Sequence, residues 1–476
     1  MNDSQPEKIY DFVVIGGGSA GYAAARTAID LGLTTAVVDS AQTLGGLCIL
    51  RGCMPSKALI ETANRNLTIR NAAEFGLVTG PAEVDAAAVY ARKRTLIDDF
   101  ASYRQGQLQD SDFDLLRGRA RYVDAETLEV SPSDGAPPFR ITARTSLLAT
   151  GSNISTPPID GLSEIGHLTS DDILSLDGPA PDSVIVLGGG AIALEMAHFL
   201  DGIGASVTVI QRSDHLLSGM DHDVADSLQQ ALGERGIKII TGTKIVRAEK
   251  SGSQKTVVFE HRGETKQVTA SEVLVALGRT PNTNALDLQN AGVGLDGKRI
   301  STTPEQRTTA TNIFAAGDVC GPHEIVHIAI EQGEAAATNA AVLLGKLTPA
   351  RRRTMDYRLK LLGIFTHPEV ASVGLTEQEA RKAGIPFKAA TYPFDDQGKS
   401  MVMGETHGFV KLLATTETGE LLGGSVVGPH AVDLIHEITV AMHFHATAAD
   451  LAAIPHYHPT LSEIWTYPAE DLADSN

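Results

Sequence analysis

Apolar and polar positions follow the same plan in two separate blocks of this chain. Residues 11–15 form a short β-branched and aromatic run, which predicts a strand. The glycine cluster 16–21 follows, and 22–31 then carry helical character. Gly32 predicts the helix stop, and 34–38 predict a second strand that ends at Asp39. The block recurs later: 183–187 as strand, 188–190 as glycine turn, 191–200 as helix and 205–210 as strand. Ser183 lies 172 residues after Asp11. That spacing is too long for a solenoid and predicts two separate nucleotide-binding domains. The segments LLATGS at 147–152 and VLVALGRTPN at 273–282 close the two regions in parallel fashion, with Pro157 and Pro158 marking a crossover. IFAAGD at 313–318 predicts one more short strand. From Met355 the texture changes. Alternation at 408–413 and 421–427 predicts an antiparallel sheet, 431–444 a helix, and 468–476 a short, frayed acidic tail. The expected fold is α/β: two Rossmann-like units followed by an α+β domain with an antiparallel sheet.

Composition narrows the function classes. The 476 residues include 39 basic and 58 acidic side chains, a net charge of −19. The longest basic run is Arg351-Arg352-Arg353, too short for a nucleic-acid or anionic-membrane surface. The apolar stretches 13–29 and 184–200 are each broken by glycines, so neither predicts a membrane span. Residues 1–10 are polar and mixed in charge, unlike a signal or transit peptide. Three cysteines exclude a disulfide-stapled secreted scaffold, and the expected address is the cytoplasm.

Gly16, Gly18 and Gly21 satisfy G-x-G-x-x-G. The first permits the turn, the second admits a pyrophosphate, and the third lets helix and strand pack closely. Asp39 stands where an acid binds ribose hydroxyls. The second turn reads Gly188, Gly190, Ala193, and its strand ends in Gln211-Arg212 where an NAD site places an acid. A carboxylate there would repel a 2′-phosphate and Arg212 would bind it, so NADP(H) is favoured over NAD(H). The plainer alternative is an exposed surface arginine beside a glutamine that still accepts NAD.

Cys48 and Cys53 lie in GGLCILRGCMPSK, residues 45–57. A zinc half-site lacks a second cysteine pair, and a structural disulfide is disfavoured in the cytoplasm. A redox dithiol remains. Pro55 suits a first helical turn, which puts Cys53 near a helix N-terminus that stabilises thiolate, with Arg51 and Lys57 adding positive charge.

This run resembles the GGTCxxxGCxPSK signature of the FAD-dependent pyridine nucleotide–disulfide oxidoreductases, which include dihydrolipoamide dehydrogenase, glutathione reductase and mercuric reductase. The resemblance covers the chain from Asp11 to about Tyr467. It implies that Cys48 exchanges with a disulfide substrate, that Cys53 contacts the flavin, and that Lys57 pairs with Glu195 beside it. It implies a flavin contact for Asp318 and further cofactor contacts at Gly46, Ala120, Gly151 and Gly278. Leu47 and Leu50-Arg51 depart from the usual signature. Cys320 has no partner at useful spacing and reads as a bystander.

The segment 455–463, PHYHPTLSE, resembles the family's HPTxxE, which makes His458 the acid–base catalyst and Glu463 its orienting carboxylate. Disulfide interchange needs a group that holds and returns a proton, and imidazole suits neutral pH. His436, His443, His445 and His456 lack such a setting, and no metal site is expected. In the family this histidine comes from the other subunit, implying a homodimer with shared active sites. The resemblance is nearest to dihydrolipoamide-dehydrogenase-like members, acting on a small disulfide or dithiol or a lipoyl-type carrier protein. An NADPH-dependent reductase of another small disulfide, or a diaphorase using quinone or metal, are the alternatives. The implied domains are 1–151 and 280–350 for FAD, 152–279 for the nicotinamide nucleotide, and 351–476 for dimerisation.

Overall fold

The computed structural model describes residues 8–80, 82–176 and 178–474. They divide into two compact units. One comprises the chain up to Pro55 with Lys93–Ser155 and Arg279–Asp356. The other comprises Ser56–Arg92, Thr156–Gly278 and the chain from Tyr357 onward.

In the first unit, strand Lys8–Ile15 lies in the sheet interior. Thr35–Asp39 flanks it in parallel on one side and Phe139–Leu148 on the other, with Phe12 opposite Thr35 and Val13 opposite Ser146. Asp114–Tyr122 and Ile313–Ala315 extend the parallel sheet outward. Thr127–Pro132 runs antiparallel to both Asp114–Tyr122 and Phe139–Leu148. The apolar run 12–15 is buried throughout, as a strand covered on both faces requires. The first strand starts at Lys8 and not at Asp11, because Lys8, Ile9 and Tyr10 pair with Ile141, Thr142 and Ala143. The charged Asp11 interrupts the apolar pattern there, and sheet pairing carries the strand back through Tyr10 and Ile9. Helix Ser19–Asp30 also starts earlier than its apolar pattern, directly after the extended Gly18. It packs on helix Val326–Leu343 closely enough that a Cβ on Gly333 would lie 2.3 Å from the Ala20 carbonyl oxygen.

In the second unit, a five-stranded parallel sheet runs in the order Lys238–Ile240, Ser206–Ile210, Ser183–Leu187, Glu272–Val275, Leu168–Thr169. A three-stranded antiparallel sheet spans Thr243–Ser251, Gln254–His261 and Glu264–Ala270. The C-terminal part carries a five-stranded antiparallel sheet containing Phe409–Thr415 and Leu421–Gly428. Helix Ala431–His443 buries Leu434, Ile435, Ile438 and Met442 in the same core. The α/β architecture with an antiparallel C-terminal sheet is therefore as expected.

The frayed tail is not. Thr466–Asp474 is a helix with Pro468, Ala469 and Leu472 buried, and Tyr467 stacks on Tyr392 at 3.9 Å between ring centroids. Its acidic residues occupy one face of the helix and hide the apolar stripe on the other. Residues 1–7 and 475–476 lie outside the described residues.

Candidate redox site

The first glycine turn shows which glycines packing demands. A Cβ on Gly16 would sit 2.4 Å from the Ala149 carbonyl oxygen, and one on Gly21 only 1.8 Å from that of Gly16. Gly18 is different, because its nearest neighbour would be Gly46 Cα at 3.9 Å. It caps helix Ser19–Asp30 without a side-chain hydrogen bond, leaving the first-turn amides for an anion. Asp39 braces the turn, accepting hydrogen bonds from the Gly17 and Ala41 amides at 2.7 Å each. Gly151 (φ +68°) and Gly278 (φ +100°) have open space where a Cβ would stand. Ala120 is buried in the ladder opposite Val130, with its methyl in the core, so its backbone is what it can offer a ligand. Asp318 accepts from Ser152 Oγ at 2.5 Å, and Arg279 Nε donates to the same oxygen of Ser152 at 2.6 Å. A glycine cradle, an uncapped helix N-terminus and two placed carboxylates fit a dinucleotide such as FAD.

The cysteines sit at the starts of two successive helices, Cys48 in Gly46–Arg51 and Cys53 as the first residue of Cys53–Arg70. Gly52 makes the junction tight: a Cβ there would approach Cys48 Cα to 3.2 Å and the Leu47 carbonyl oxygen to 2.9 Å. Gly46, at φ +75°, lies against Gly18, where a Cβ would come within 2.7 Å of its Cα. The dithiol segment is thereby docked on the first glycine turn. Cys48 and Cys53 are partly exposed, whereas Cys320 is buried and its thiol is pushed up to about 12 by burial. A thiol held neutral in this way is a poor nucleophile.

The second glycine turn repeats the first in outline. A Cβ on Gly188 would lie 2.4 Å from the Ala276 carbonyl oxygen, and Gly190 has open space around it. Ala193 is accommodated as the third residue, its methyl 3.5 Å from the position of a Gly188 Cβ. Gln211 folds over Gly189, whose added Cβ would meet its Cγ at 2.9 Å, and Arg212 beyond it is exposed.

Further along, Glu195 and Lys57 form an ion pair, with Nζ–Oε distances of 2.9 and 2.8 Å. Glu195 is buried and also accepts from the Phe365 amide at 3.2 Å. The Phe365 ring lies 4.4 Å from Lys57 Nζ, a cation–π contact that fixes the ammonium from a second side. His458 Nδ1 lies 3.0 Å from Glu463 Oε2. A carboxylate only accepts, so Nδ1 carries the proton in that bond and Nε2 is left for chemistry. The imidazole is exposed while its carboxylate is buried. Glu463 is in turn held by Gln397 Nε2 at 3.1 Å, and Gln397 is fully buried. His456 pairs with Glu437 and His445 with Glu420. Among the described residues no cluster of three or more metal-ligating side chains occurs.

Gln397, Phe365, Ser152 and Arg279 support the anticipated residues, and the sequence reading did not single them out. Gln397 and Phe365 act from distant parts of the chain with no motif of their own, whereas Ser152 and Arg279 sit in the segments 147–152 and 273–282, next to Gly151 and Gly278.

These constellations together define a nucleotide-dependent dithiol redox protein. Residues 10–333 match the pyridine nucleotide-disulphide oxidoreductase model, and 362–469 match the dimerisation domain of the same group. The dihydrolipoyl dehydrogenase of Thermus scotoductus is 36% identical over 98% of both chains. That of Mycobacterium leprae is 35% identical over 95% of this chain and 96% of its own. Among solved structures, LpdA from Mycobacterium tuberculosis aligns with a TM-score of 0.85 at 28% identity, covering 98% of this chain and 99% of that one. The chain belongs to the pyridine nucleotide-disulphide oxidoreductase family, and is a flavoprotein disulfide oxidoreductase carrying a dimerisation domain. No helix among the described residues is long and apolar enough to cross a membrane.

Proposed function

We propose that this protein moves electrons between a nicotinamide nucleotide and a small or carrier-bound disulfide through the Cys48–Cys53 dithiol. The observation that carries the reading is the junction at Gly52, which sets two partly exposed cysteines at adjoining helix starts, docked on a dinucleotide-type glycine turn. Residues 1–151 and 280–350 bind FAD, 152–279 the nicotinamide nucleotide, and 351–476 form a homodimer with shared active sites. Gly16, Gly18, Gly21, Asp39, Gly46, Ala120, Gly151, Gly278 and Asp318 hold FAD, which supplies two-electron exchange between nicotinamide and dithiol. The Lys57–Glu195 pair places a fixed charge beside it.

In the reducing direction Cys48 thiolate attacks one sulfur of the substrate, and the substrate S–S bond breaks. His458, from the other subunit, protonates the leaving thiolate, with Glu463 holding the imidazolium in place. Cys53 thiolate then attacks the Cys48 sulfur, releasing the second thiolate and closing the protein disulfide. The dihydrolipoamide direction reverses each step. Gln211 and Arg212 support NADP(H) over NAD(H), because neither repels a 2′-phosphate and the guanidinium is exposed to meet one. The net charge of −19 supports small-molecule or carrier partners over nucleic acid or membrane, and the sparse cysteines support a cytoplasmic protein.

Anaerobic titration of the purified flavoprotein with NADPH, and in parallel with NADH, tests this reading. A long-wavelength absorbance band after two electrons is expected from a Cys53 thiolate beside the flavin, raised more efficiently by NADPH. Flavin bleaching with no such band would separate the dithiol from the electron path.

A further inference from the structure

His456 lies two residues before His458, and the proton-transfer scheme leaves it unused. Residues 453–459 belong to neither helix nor strand and run between helix Ala448–Ala452 and the short helix Ser462–Trp465. Within that stretch only His456 is not exposed, and its side chain keeps 8% of its accessible surface. It is the one side chain that the stretch sends inward.

Its contacts there are specific. Nδ1 lies 2.9 Å from the Ile454 carbonyl oxygen, and Nε2 lies 2.6 Å from Glu437 Oε1. A neutral imidazole has one N–H, so the two contacts are hydrogen bonds together only in the imidazolium form. A cation paired with a carboxylate makes a shorter and stronger bond than two neutral groups make. Glu437 belongs to helix Ala431–His443, whose Leu434, Ile435, Ile438 and Met442 are buried in the C-terminal core. The pair therefore ties an exposed segment to a packed element. Beyond His458 a second tie exists. Gln397 Nε2 donates to the Thr460 carbonyl at 2.8 Å as well as to Glu463. His458 thus stands between two anchors, one on each side along the chain, while its own ring is exposed.

We propose that the His456–Glu437 pair positions His458, setting where the exposed imidazole stands when it meets a substrate sulfur. This rests on the reading of His458 as the acid–base catalyst. A proton-transfer group must lie within hydrogen-bond reach of the atom it serves, and small displacements cost large factors in rate. His456 acts through the intervening backbone at Tyr457 and is a positioning residue.

The test is nucleotide-dependent lipoamide reduction by the flavin-loaded protein in four forms: native, His456→Leu, His458→Gln and the double variant. His456→Leu is expected to lower kcat about tenfold, with KM for lipoamide within about twofold of native. His456→Gln keeps a donor for Glu437 and should recover part of that loss. In the His458→Gln background, His456→Leu should cost nothing further, because no imidazole is left to place. A merely structural role would lower both backgrounds by the same factor. Native kcat in His456→Leu overturns the proposal, and so does an equal loss with and without His458. Should His456→Leu fail to fold, Glu437→Leu takes its place in the same cycle under the same criteria. Native activity in His458→Gln alone is a different failure, because it removes His458 from the acid–base role and the proposal with it.

Discussion

The two glycine turns share a backbone plan, yet they differ at the third motif position, at the end of the following strand and in what their helices touch. At the third position Gly21 has no room for a methyl, while Ala193 carries one. At the strand end Asp39 spends its carboxylate on two backbone amides, whereas Gln211 lies over its own glycine turn and Arg212 is exposed. Helix Ser19–Asp30 buries mainly alanines against an alanine-rich partner. Helix Ala191–Gly202 instead buries Glu195 and His198 and meets helix Cys53–Arg70 through Lys57 and Asn64. A shared motif therefore fixes a phosphate-sized cradle but leaves the nucleotide and the neighbours to residues outside it.

The contrast is broken most severely at Gly21. Gly21→Val forces a side chain into the Gly16 carbonyl, 1.8 Å from the Cβ position, and is expected to cost more than about 3 kcal/mol. The purified variant should be colourless or insoluble by absorbance at the flavin wavelengths. Ala193→Gly should cost only about 1 kcal/mol, from helix propensity.

The buried histidines come next. Arg235 NH1 donates to His198 Nδ1 at 3.0 Å and to the His367 carbonyl at 2.8 Å, so His198 donates from Nε2 to Asn64 at 2.8 Å and is neutral. Burial, with Arg235 beside it, pulls His198 well below its ordinary value and His367 down to about 4. Both folded-state values lie below the unfolded value of about 6.5, so the unfolded chain binds protons first. This stability is present above about pH 6.5 and is lost as pH falls toward 4, by about 2–3 kcal/mol for His367 alone. Urea midpoints measured across that window should fall steeply for the native protein and less steeply for His367→Asn.

The smallest effect concerns nucleotide choice. Arg212→Ser should raise the KM for NADPH about tenfold and leave that for NADH nearly unchanged, as expected for one lost charge-assisted contact. Equal changes for both nucleotides would place the discrimination elsewhere.

The parts of this protein legible in its sequence are those where local geometry demands a residue type. The strands and glycine turns were visible because burial and tight backbone approach leave few options. The His458–Glu463 contact was visible because both members lie within one short segment. Gln397 behind Glu463 and Phe365 over Lys57 were not, since each meets its partner across a long sequence separation without periodicity or motif. The C-terminal helix was misread for a related reason. Leu472 and Ala469 are buried by the fold around them, while the neighbouring Glu470, Asp471 and Asp474 dominate the composition.

Replacing Cys48 with serine tests the central claim most directly, with nucleotide-dependent reduction of lipoamide and of a quinone assayed side by side on the flavin-loaded protein. The account predicts that disulfide reduction falls on the order of a thousandfold while quinone reduction persists. Disulfide reduction at the native rate in that variant would contradict it.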